Sequence, residues 1–199
     1  MKKTAIFGGT FNPPHIGHRF MLEGIASQPE IEKILIMPAK APPHKSGVVV
    51  SAEHRVNMCK MAFCGIEKCE ISLEELNLPG KSYTVNTLHH LNKKGFKNPV
   101  LVIGADSRVN FNKWYRYDEI LSLAELYVYM RRGVSKKELL SAKEGLERLG
   151  GKITLLSVVP PEISSTEIRQ EIKKSDLNGE FLSPSVLEYI TEYSLYKDE

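Results

Sequence analysis

Six short apolar runs, separated by stretches of helical periodicity, restrict the fold of this 199-residue chain more than any other feature. Each run is nearly continuous in apolar character, which is typical of parallel strands buried on both faces. Strands that alternate with helices predict an α/β fold, a Rossmann-like parallel sheet with helices on both faces. The predicted strands are residues 4–7, 33–37, 70–73, 100–103, 126–130 and 153–158.

The helical stretches have recognisable ends, because serine or threonine opens them and glycine follows several of them. Predicted helices begin at Ser51, run from Thr84 to Gly95, and occupy residues 135–149. Two further helix patterns, 164–174 and 183–193, follow one another without a strand between them. We therefore expect a single domain, 1–199, with a small C-terminal helical addition at about 164–199.

Charge and cysteine content restrict the class of partner. The formal net charge of +3, from 27 Lys and Arg against 24 Asp and Glu, is too small for a protein that coats nucleic acid. Cys59, Cys64 and Cys69 fit neither a disulfide framework nor a metal clip, which favours a reduced, cytoplasmic compartment. No segment resembles a signal peptide or a membrane span. We expect small anionic partners, no nucleic acid and no membrane; self-association and the role of the cysteines stay open.

The most informative stretch is residues 8–18, GGTFNPPHIGH, which follows the first predicted strand and leads into a helix. Ligands of open parallel sheets bind at the carboxyl ends of strands, and a helix N-terminus attracts phosphate. Glycines there let the backbone approach a phosphate closely. The residues of this loop predicted to bind a phosphate are Gly8, Gly9, Thr10 and Phe11.

Two histidines, His15 and His18, lie one helical turn apart at the end of this loop. Both can face the same point and donate hydrogen bonds to a developing oxyanion, so we predict that they bind a phosphate and act in catalysis. The simpler alternative is a tight glycine turn with two surface histidines. Zinc is a poorer interpretation, because the HExxH pattern is missing and no third ligand is evident.

A second helix start near the C-terminus, ISSTEIR at residues 163–169, has the same character. Ser164 and Glu167 have the spacing of a capping box, which alone explains this segment structurally. The same turn also offers hydroxyl and amide donors, and Arg169 lies one turn further on. We predict that Ser164, Ser165 and Arg169 bind a triphosphate and that Arg169 also acts in catalysis.

Three further segments carry candidate ligand-binding groups. A proline-stiffened basic loop follows the second strand, although exposed loops often carry lysines. Gly104 and Asp106 follow the fourth strand, where Asp106 can accept hydrogen bonds from a ribose, and both are predicted to contact a nucleotide. Trp114 lies in a polar loop, where it can stack on an aromatic ligand, although a single Trp more often packs in a core. The basic loop carries Lys40, His44 and Lys45.

The HIGH tetrad and the ISSTEIR segment resemble the two phosphate-binding segments of the HIGH-motif nucleotidylyltransferase superfamily. The resemblance implies that the nucleotide bound is ATP, at Gly8, Gly9, Thr10, Phe11, His15, His18, Gly104, Asp106, Ser164, Ser165 and Arg169. With PPHK at 42–45, YTVNTL at 83–88 and the GAD…W spacing, most of the chain resembles the bacterial nicotinate-nucleotide adenylyltransferases. The resemblance implies that Trp114 stacks on a pyridine ring and that Tyr83 and Thr84 recognise the nicotinate carboxylate. It further implies that the mononucleotide site includes Asn12, Lys40, His44, Lys45 and Asp106. Arg131-Arg132-Gly133 departs from the R-P-G turn expected there, which leaves the conformation of that loop open.

The resemblance implies that the phosphate of nicotinate mononucleotide attacks the α-phosphorus of ATP, giving deamido-NAD and pyrophosphate in NAD biosynthesis. Since the nucleophile is already anionic, we expect catalysis by positioning and cationic screening, without a general base. Mg²⁺ is expected to be carried by the ATP phosphates rather than by a dedicated protein site. The alternatives are an adenylyltransferase for nicotinamide mononucleotide or phosphopantetheine, or a nucleotide-binding module without turnover.

Overall fold

The computed structural model describes residues 2–40, 50–104, 111–129, 136–156, 158–174 and 180–197. These residues form a six-stranded sheet in the order β3-β2-β1-β4-β5-β6, and each neighbouring pair is parallel. The predicted parallel sheet is confirmed, and each predicted strand overlaps an observed one. The strands are β1 (Lys3–Gly9), β2 (Ile31–Pro38), β3 (Cys69–Ile71), β4 (Pro99–Ile103), β5 (Glu125–Tyr129) and β6 (Ile153–Leu156).

Helices follow the strands and open where the sequence indicates. Ser51, Ser164 and Ser183 are N-caps whose hydroxyls accept a backbone amide three residues on, which satisfies an otherwise unpaired donor. The helices are α1 (Ile16–Ala26), α2 (Ala52–Ala62), α3 (Glu74–Asn77), α4 (Thr84–Lys93), α5 (Tyr117–Leu123), α6 (Lys136–Arg148), α7 (Ser165–Lys173) and α8 (Pro184–Glu192), with a 3-10 turn at Phe111–Lys113.

Both faces of the sheet are covered, as the apolar runs predict. Along β2, Ile34 and Ile36 join one buried cluster, whereas Leu35 and Met37 join a second on the opposite face. The first cluster includes side chains of α1, α2, α7 and α8, and the second includes side chains of α4, α5 and α6. Successive side chains of a strand point to opposite faces of the sheet. A strand that is buried on both faces is therefore a continuous apolar run in the sequence, without alternating polar residues.

The C-terminal helices pack on the same cluster as the first helices of the chain. Ile168 of α7 and Val186 of α8 are fully buried there. The Tyr189 hydroxyl of α8 lies 3.0 Å from His54 Nδ1 and 3.2 Å from Asn57 Nδ2, both on α2. This shared core supports the single domain that we propose for residues 1–199.

The structure differs from the predicted elements at several ends. β3 stops at Ile71, because Leu73 caps the short helix α3 and is 46% exposed. β6 stops at Leu156 rather than at 158, ahead of two consecutive prolines that have no amide hydrogen for a ladder. The short helices α3 and α5 and the 3-10 turn were not predicted, since three to seven residues carry little periodicity.

Candidate active site

The site lies where the order of the sheet reverses. β1 and β4 are neighbours, but the chain proceeds from β1 toward β2 and β3 on one side and from β4 toward β5 and β6 on the other. A crevice opens at the carboxyl ends of two such strands, and ligands of open α/β sheets bind there. Gly8 and Gly104 stand at these two strand ends, and a side chain at either position would meet no atom within 4 Å. The structure therefore places both predicted glycines beside open space.

The loop after β1 is shaped by Phe11. Its backbone is left-handed, with φ 50°, and its side chain is 2% exposed, packing against the rings of His18 and Phe63. A Cβ at Gly9 would lie 2.8 Å from the Phe11 ring, so glycine is required there by close approach. Because the Phe11 side chain is in the core, only its backbone is available to a ligand at this loop.

His15 and His18 form a stacked pair at the start of α1. His15 is the N-cap residue, and the two ring centroids are 3.8 Å apart. The backbone amide of His15 donates to His18 Nδ1 at 3.2 Å. An Nδ1 that accepts carries no proton, so the neutral His18 ring is protonated at Nε2, which is a hydrogen-bond donor. The two predicted histidines are therefore brought together.

His15 is neutral at pH 7 in this structure. Its side chain is buried, and desolvation lowers its pKa to about 4, although the carboxylate of Glu167 favours the charged form. Its Nδ1 is buried without a hydrogen-bond partner among the described residues. His15 is therefore suited to donate a hydrogen bond as a neutral imidazole rather than to carry a positive charge.

The start of α7 meets the glycine loop directly. Ser164 and Glu167 form the predicted capping box, with Ser164 N–H and Oγ both donating to Glu167 Oε2 at 3.0 and 2.7 Å. Ser165 Oγ donates to the Pro13 carbonyl at 2.9 Å, and Arg169 Nη1 donates to the Asn12 carbonyl at 2.8 Å. The two segments predicted to act on ATP from opposite ends of the chain are thus in contact.

Asn12, a predicted mononucleotide ligand, lies behind the loop surface and is 4% exposed. Its Oδ1 accepts from the Val50 amide at 3.3 Å and from the Tyr196 hydroxyl at 2.9 Å. This oxygen is thus engaged inside the protein. The predicted contact between Asn12 and the mononucleotide stays a prediction.

The basic loop is described only in part. Lys40 is exposed, its amide donates to Ser82 Oγ at 3.2 Å, and its Nζ donates to the Leu78 carbonyl at 3.0 Å. It therefore borders the segment that leads to the predicted carboxylate-recognition residues. His44, Lys45, Asp106 and the loop Arg131-Arg132-Gly133 lie outside the described residues.

The predicted aromatic groups Trp114 and Tyr83 pack at the edge of the second buried cluster, which includes Leu35 and Met37 of β2. Trp114 is partly buried after the 3-10 turn, and its ring centroid is 5.2 Å from that of Phe111. Tyr83, the N-cap of α4, stacks on Tyr115 with centroids 4.6 Å apart, and Thr84 opens the helix.

A cavity of about 180 Å³ lies beside Tyr83. Its lining comprises Glu75, Leu78, Pro79, Gly80, Lys81, Ser82, Tyr83, Asn86 and Thr87. Burial raises the pKa of the Glu75 carboxyl, against hydrogen bonds from Ser82 and Thr87 that favour its charged form.

Sequence reasoning missed Arg55 and Tyr196. Arg55 is 1% exposed, and Nη1 donates to the Thr10 carbonyl at 2.8 Å. A pattern that would have found it is the helical spacing to Met58, Cys59 and Ala62, which places an arginine on the buried face of α2. Tyr196 carried no comparable pattern, because its partner Asn12 is 184 residues away.

Neither a metal cluster nor a membrane-spanning helix is found in the described part of the chain. No group of three or more His, Cys, Asp or Glu side chains that could hold a metal ion occurs there. No described helix is both long and apolar enough to cross a membrane. Cys59, Cys64 and Cys69 are free thiols.

Comparison with known proteins places this site in a class. The family model described as cytidylyltransferase-like matches residues 6–171, which include both helix starts of the site. A Clostridium botulinum (strain Alaska E43) protein named "Probable nicotinate-nucleotide adenylyltransferase" is 39% identical over 201 residues, covering 100% of both chains. A Clostridium tetani protein of the same name is 36% identical, covering 99% of this chain and all of its own.

A solved structure agrees on the fold. The Plasmodium falciparum nicotinic acid mononucleotide adenylyltransferase complexed with NaAD has a TM-score of 0.81 at 21% identity, covering 100% of this chain and 99% of its own. Fold and site together define a nucleotidyltransferase of the cytidylyltransferase-like class. Within that class, the chain belongs to the nicotinate-nucleotide adenylyltransferase family. The resemblance stated from the motifs is confirmed, and the chain is an enzyme.

Proposed function

We propose that this chain transfers the adenylyl group of ATP to nicotinate mononucleotide, forming deamido-NAD and pyrophosphate, through the residues assembled at the β1/β4 crevice. The observation that carries this proposal is the direct contact between the start of α1 and the start of α7. Ser165 and Arg169 reach the Pro13 and Asn12 carbonyls, so two helix N-termini lie side by side at the crevice. Such termini together offer free amides and partial positive charge to a polyphosphate.

The chemical obstacle is repulsion between two anions. A phosphate monoester carries about −1.5 to −2 charges at pH 7, so it needs no general base to become a nucleophile. Bringing two unit charges to 4 Å costs about 4 kcal/mol at an effective dielectric constant near 20. Groups that offset this repulsion therefore accelerate the reaction, provided that they are already fixed in place.

The two histidines supply oriented hydrogen-bond donors. His18 offers Nε2–H, since its Nδ1 accepts the His15 amide. His15 is neutral, and its ring is held against His18. We assign both to the oxyanion that develops as the bond between the α- and β-phosphates breaks. Arg169 supplies the permanent positive charge beside them.

The remaining assignments divide between the substrates. The ATP side comprises Gly8, Gly9, Thr10, Phe11, Gly104, Asp106, Ser164 and Ser165, with the loop residues acting through their backbone. The mononucleotide side comprises Asn12, Lys40, His44, Lys45, Tyr83, Thr84, Asp106 and Trp114. Proximity of Lys40 to the segment leading to Tyr83 supports a common site for these last groups.

Divalent metal fits this site as a companion of ATP. Mg²⁺ is commonly bound by one or two carboxylates plus substrate phosphates, and it screens the charge of those phosphates when bound. We propose that Mg²⁺ enters the site bound to ATP.

We further propose that ATP and nicotinate mononucleotide are the small-molecule partners of the enzyme. The proposed place of the reaction is the cytoplasm.

Pyrophosphate release tests the reaction and the substrate in one experiment. ATP and Mg²⁺ are combined with nicotinate mononucleotide, nicotinamide mononucleotide or phosphopantetheine in turn. We expect nicotinate mononucleotide to give the highest kcat/KM. Faster release with another acceptor would change the substrate, and binding of ATP without release from any of them would contradict an enzyme.

The His18→Ala variant tests the mechanism. We expect a loss of kcat of at least a hundredfold, since one preorganised oxyanion donor contributes about 10²–10³ in kcat. His89→Ala is the matched control, because His89 lies on α4 and pairs with Glu119 at 2.7 Å. Turnover of His18→Ala within twofold of the control would contradict the assignment.

A further inference from the structure

Arg55 is a buried cation on the core-facing side of α2. Its side chain is 1% exposed, and burial lowers the pKa of the guanidinium, which still remains charged. No carboxylate of the described residues forms an ion pair with it; Glu75 acts on it only through longer-range attraction. A buried charge without a paired partner is costly unless it is well hydrogen-bonded, so this position carries a strong constraint.

The hydrogen bonds of Arg55 reach two segments that border the proposed site. Nη1 donates to the Thr10 carbonyl at 2.8 Å, and Nε donates to the Val50 carbonyl at 3.2 Å. The amide of the same Val50 donates to Asn12 Oδ1. The guanidinium therefore joins the loop after β1 to the chain that enters α2, and it does so from beneath the loop.

The contact with Thr10 fixes the direction of the next amide. The Thr10–Phe11 peptide is trans, so its carbonyl and its N–H point in opposite directions. With the carbonyl bonded to α2, the Phe11 N–H points away from α2, and nothing in the described residues accepts it. Phe11 also holds a left-handed backbone that a large L-residue rarely adopts. This peptide orientation therefore needs an external restraint.

We propose that Arg55 is a positioning residue for adenylyl transfer: by holding the Thr10 carbonyl, it presents the Phe11 N–H as a donor to a substrate phosphate. This proposal rests on the function proposed above and adds a specific donor to it. Arg55 does not touch the substrate. Its charge also lies beneath the loop, where it makes the anion-binding side of the loop more positive.

Arg55→Met and Arg55→Lys test this role against a matched control. Methionine occupies the same buried space without a charge or hydrogen-bond donors. Lysine keeps the charge, but its ammonium group lacks the planar guanidinium geometry that bonds both the Thr10 and the Val50 carbonyl. Met58→Ala is the control, because Met58 is fully buried on the same face of α2, in the core cluster rather than on the loop. Each variant is measured for Tm, for kcat, and for the KM of ATP and of nicotinate mononucleotide, well below its Tm.

We expect Arg55→Met to lower kcat/KM for ATP at least tenfold, through a raised KM for ATP as well as a lowered kcat. Arg55→Lys recovers part of this loss. Met58→Ala, which only destabilises the fold, lowers the active fraction and leaves both KM values unchanged. The difference in KM separates loss of a positioned donor from loss of folded protein.

Two results would overturn the proposal. One is an Arg55→Met variant whose KM values equal those of Met58→Ala and whose loss of kcat is no larger than its loss of Tm explains, as judged from Met58→Ala. If Arg55→Met does not fold, Arg55→Lys decides: kinetic constants equal to wild type overturn the proposal, and a raised KM for ATP at a Tm within about 3 °C of wild type supports it. Absence of pyrophosphate release by the wild-type enzyme would instead contradict the proposed function, which is a distinguishable failure.

Discussion

Replacing Gly17 with alanine is expected to separate catalysis from stability. Gly17 is the glycine of the HIGH tetrad and lies in the first turn of α1. An added Cβ would stand 3.0 Å from Nδ1 and 3.1 Å from Cε1 of His15. The His15 ring has little room to withdraw, because it is buried and stacked 3.8 Å from the His18 ring.

The size of the effect follows from these distances. Nonbonded heavy atoms prefer separations of about 3.5 Å or more, so the imidazole must shift by about 0.5 Å. A 1 Å misplacement of a catalytic group can cost about a hundredfold in rate, so half that shift is expected to lower kcat about tenfold. Alanine also favours the helix by up to about 1 kcal/mol over glycine, which offsets the crowding. We therefore expect a Tm within about 3 °C of wild type.

Gly145→Ala is the matched control. Gly145 lies in α6, and its added Cβ would meet nothing within 4 Å. This variant should gain about 2–4 °C in Tm from helix propensity without a change in kcat. Steady-state kinetics and thermal unfolding of both variants decide the matter. If Gly17→Ala matches the control in both measurements, the position of the His15 ring has no catalytic importance and our reasoning is refuted.

Three other perturbations give separate expectations. Trp114→Ala should raise the KM of the mononucleotide roughly tenfold and that of ATP less than twofold, since stacking on one base contributes about 1–3 kcal/mol; equal rises would make Trp114 structural. The pKa of His15 in the folded protein, about 4, lies below its value in the unfolded chain. The free energy of unfolding is therefore highest above about pH 6.5 and falls as the pH falls toward 4, because protonation then favours the unfolded chain. His15→Gln should abolish this loss of at most about 3 kcal/mol, and unfolding curves of identical pH dependence would contradict it. Tyr196→Phe should lower Tm by about 2–4 °C, because Asn12 keeps its bond from Val50 and only about 1 kcal/mol is lost; an unchanged Tm would show that the hydroxyl contributes nothing.

The positions of the strands and of most helices could be predicted, because they depend on patterns among neighbouring residues. Apolar runs determine where a doubly covered strand lies, and serine caps determine where helices such as α7 and α8 begin. The loop of residues 8–18 and the ISSTEIR segment were likewise recognisable, since each combines a helix start with the residue types that bind phosphate. Short elements such as α3 escaped prediction, because tertiary packing decides whether four residues close a turn.

The groups behind the site could not be predicted in the same way. Arg55 bonds a carbonyl 45 residues away, and Tyr196 bonds a side chain 184 residues away. No periodicity links such partners. The charge state of His15 also depends on its burial, which a sequence does not give.

These distant contacts change the interpretation of the C-terminal helices. Predicted as a small addition, they supply Arg169 to the Asn12 carbonyl and Tyr196 to the Asn12 side chain. Asn12 is therefore held on one side by two groups from the chain's end and on the other by Val50. Since a loop with a left-handed Phe11 keeps its shape only under such restraint, loosening α7 or α8 should raise amide hydrogen exchange in the proposed ATP-binding loop before exchange rises in the sheet. The C-terminal part of the chain therefore helps to hold the loop of the proposed active site in place.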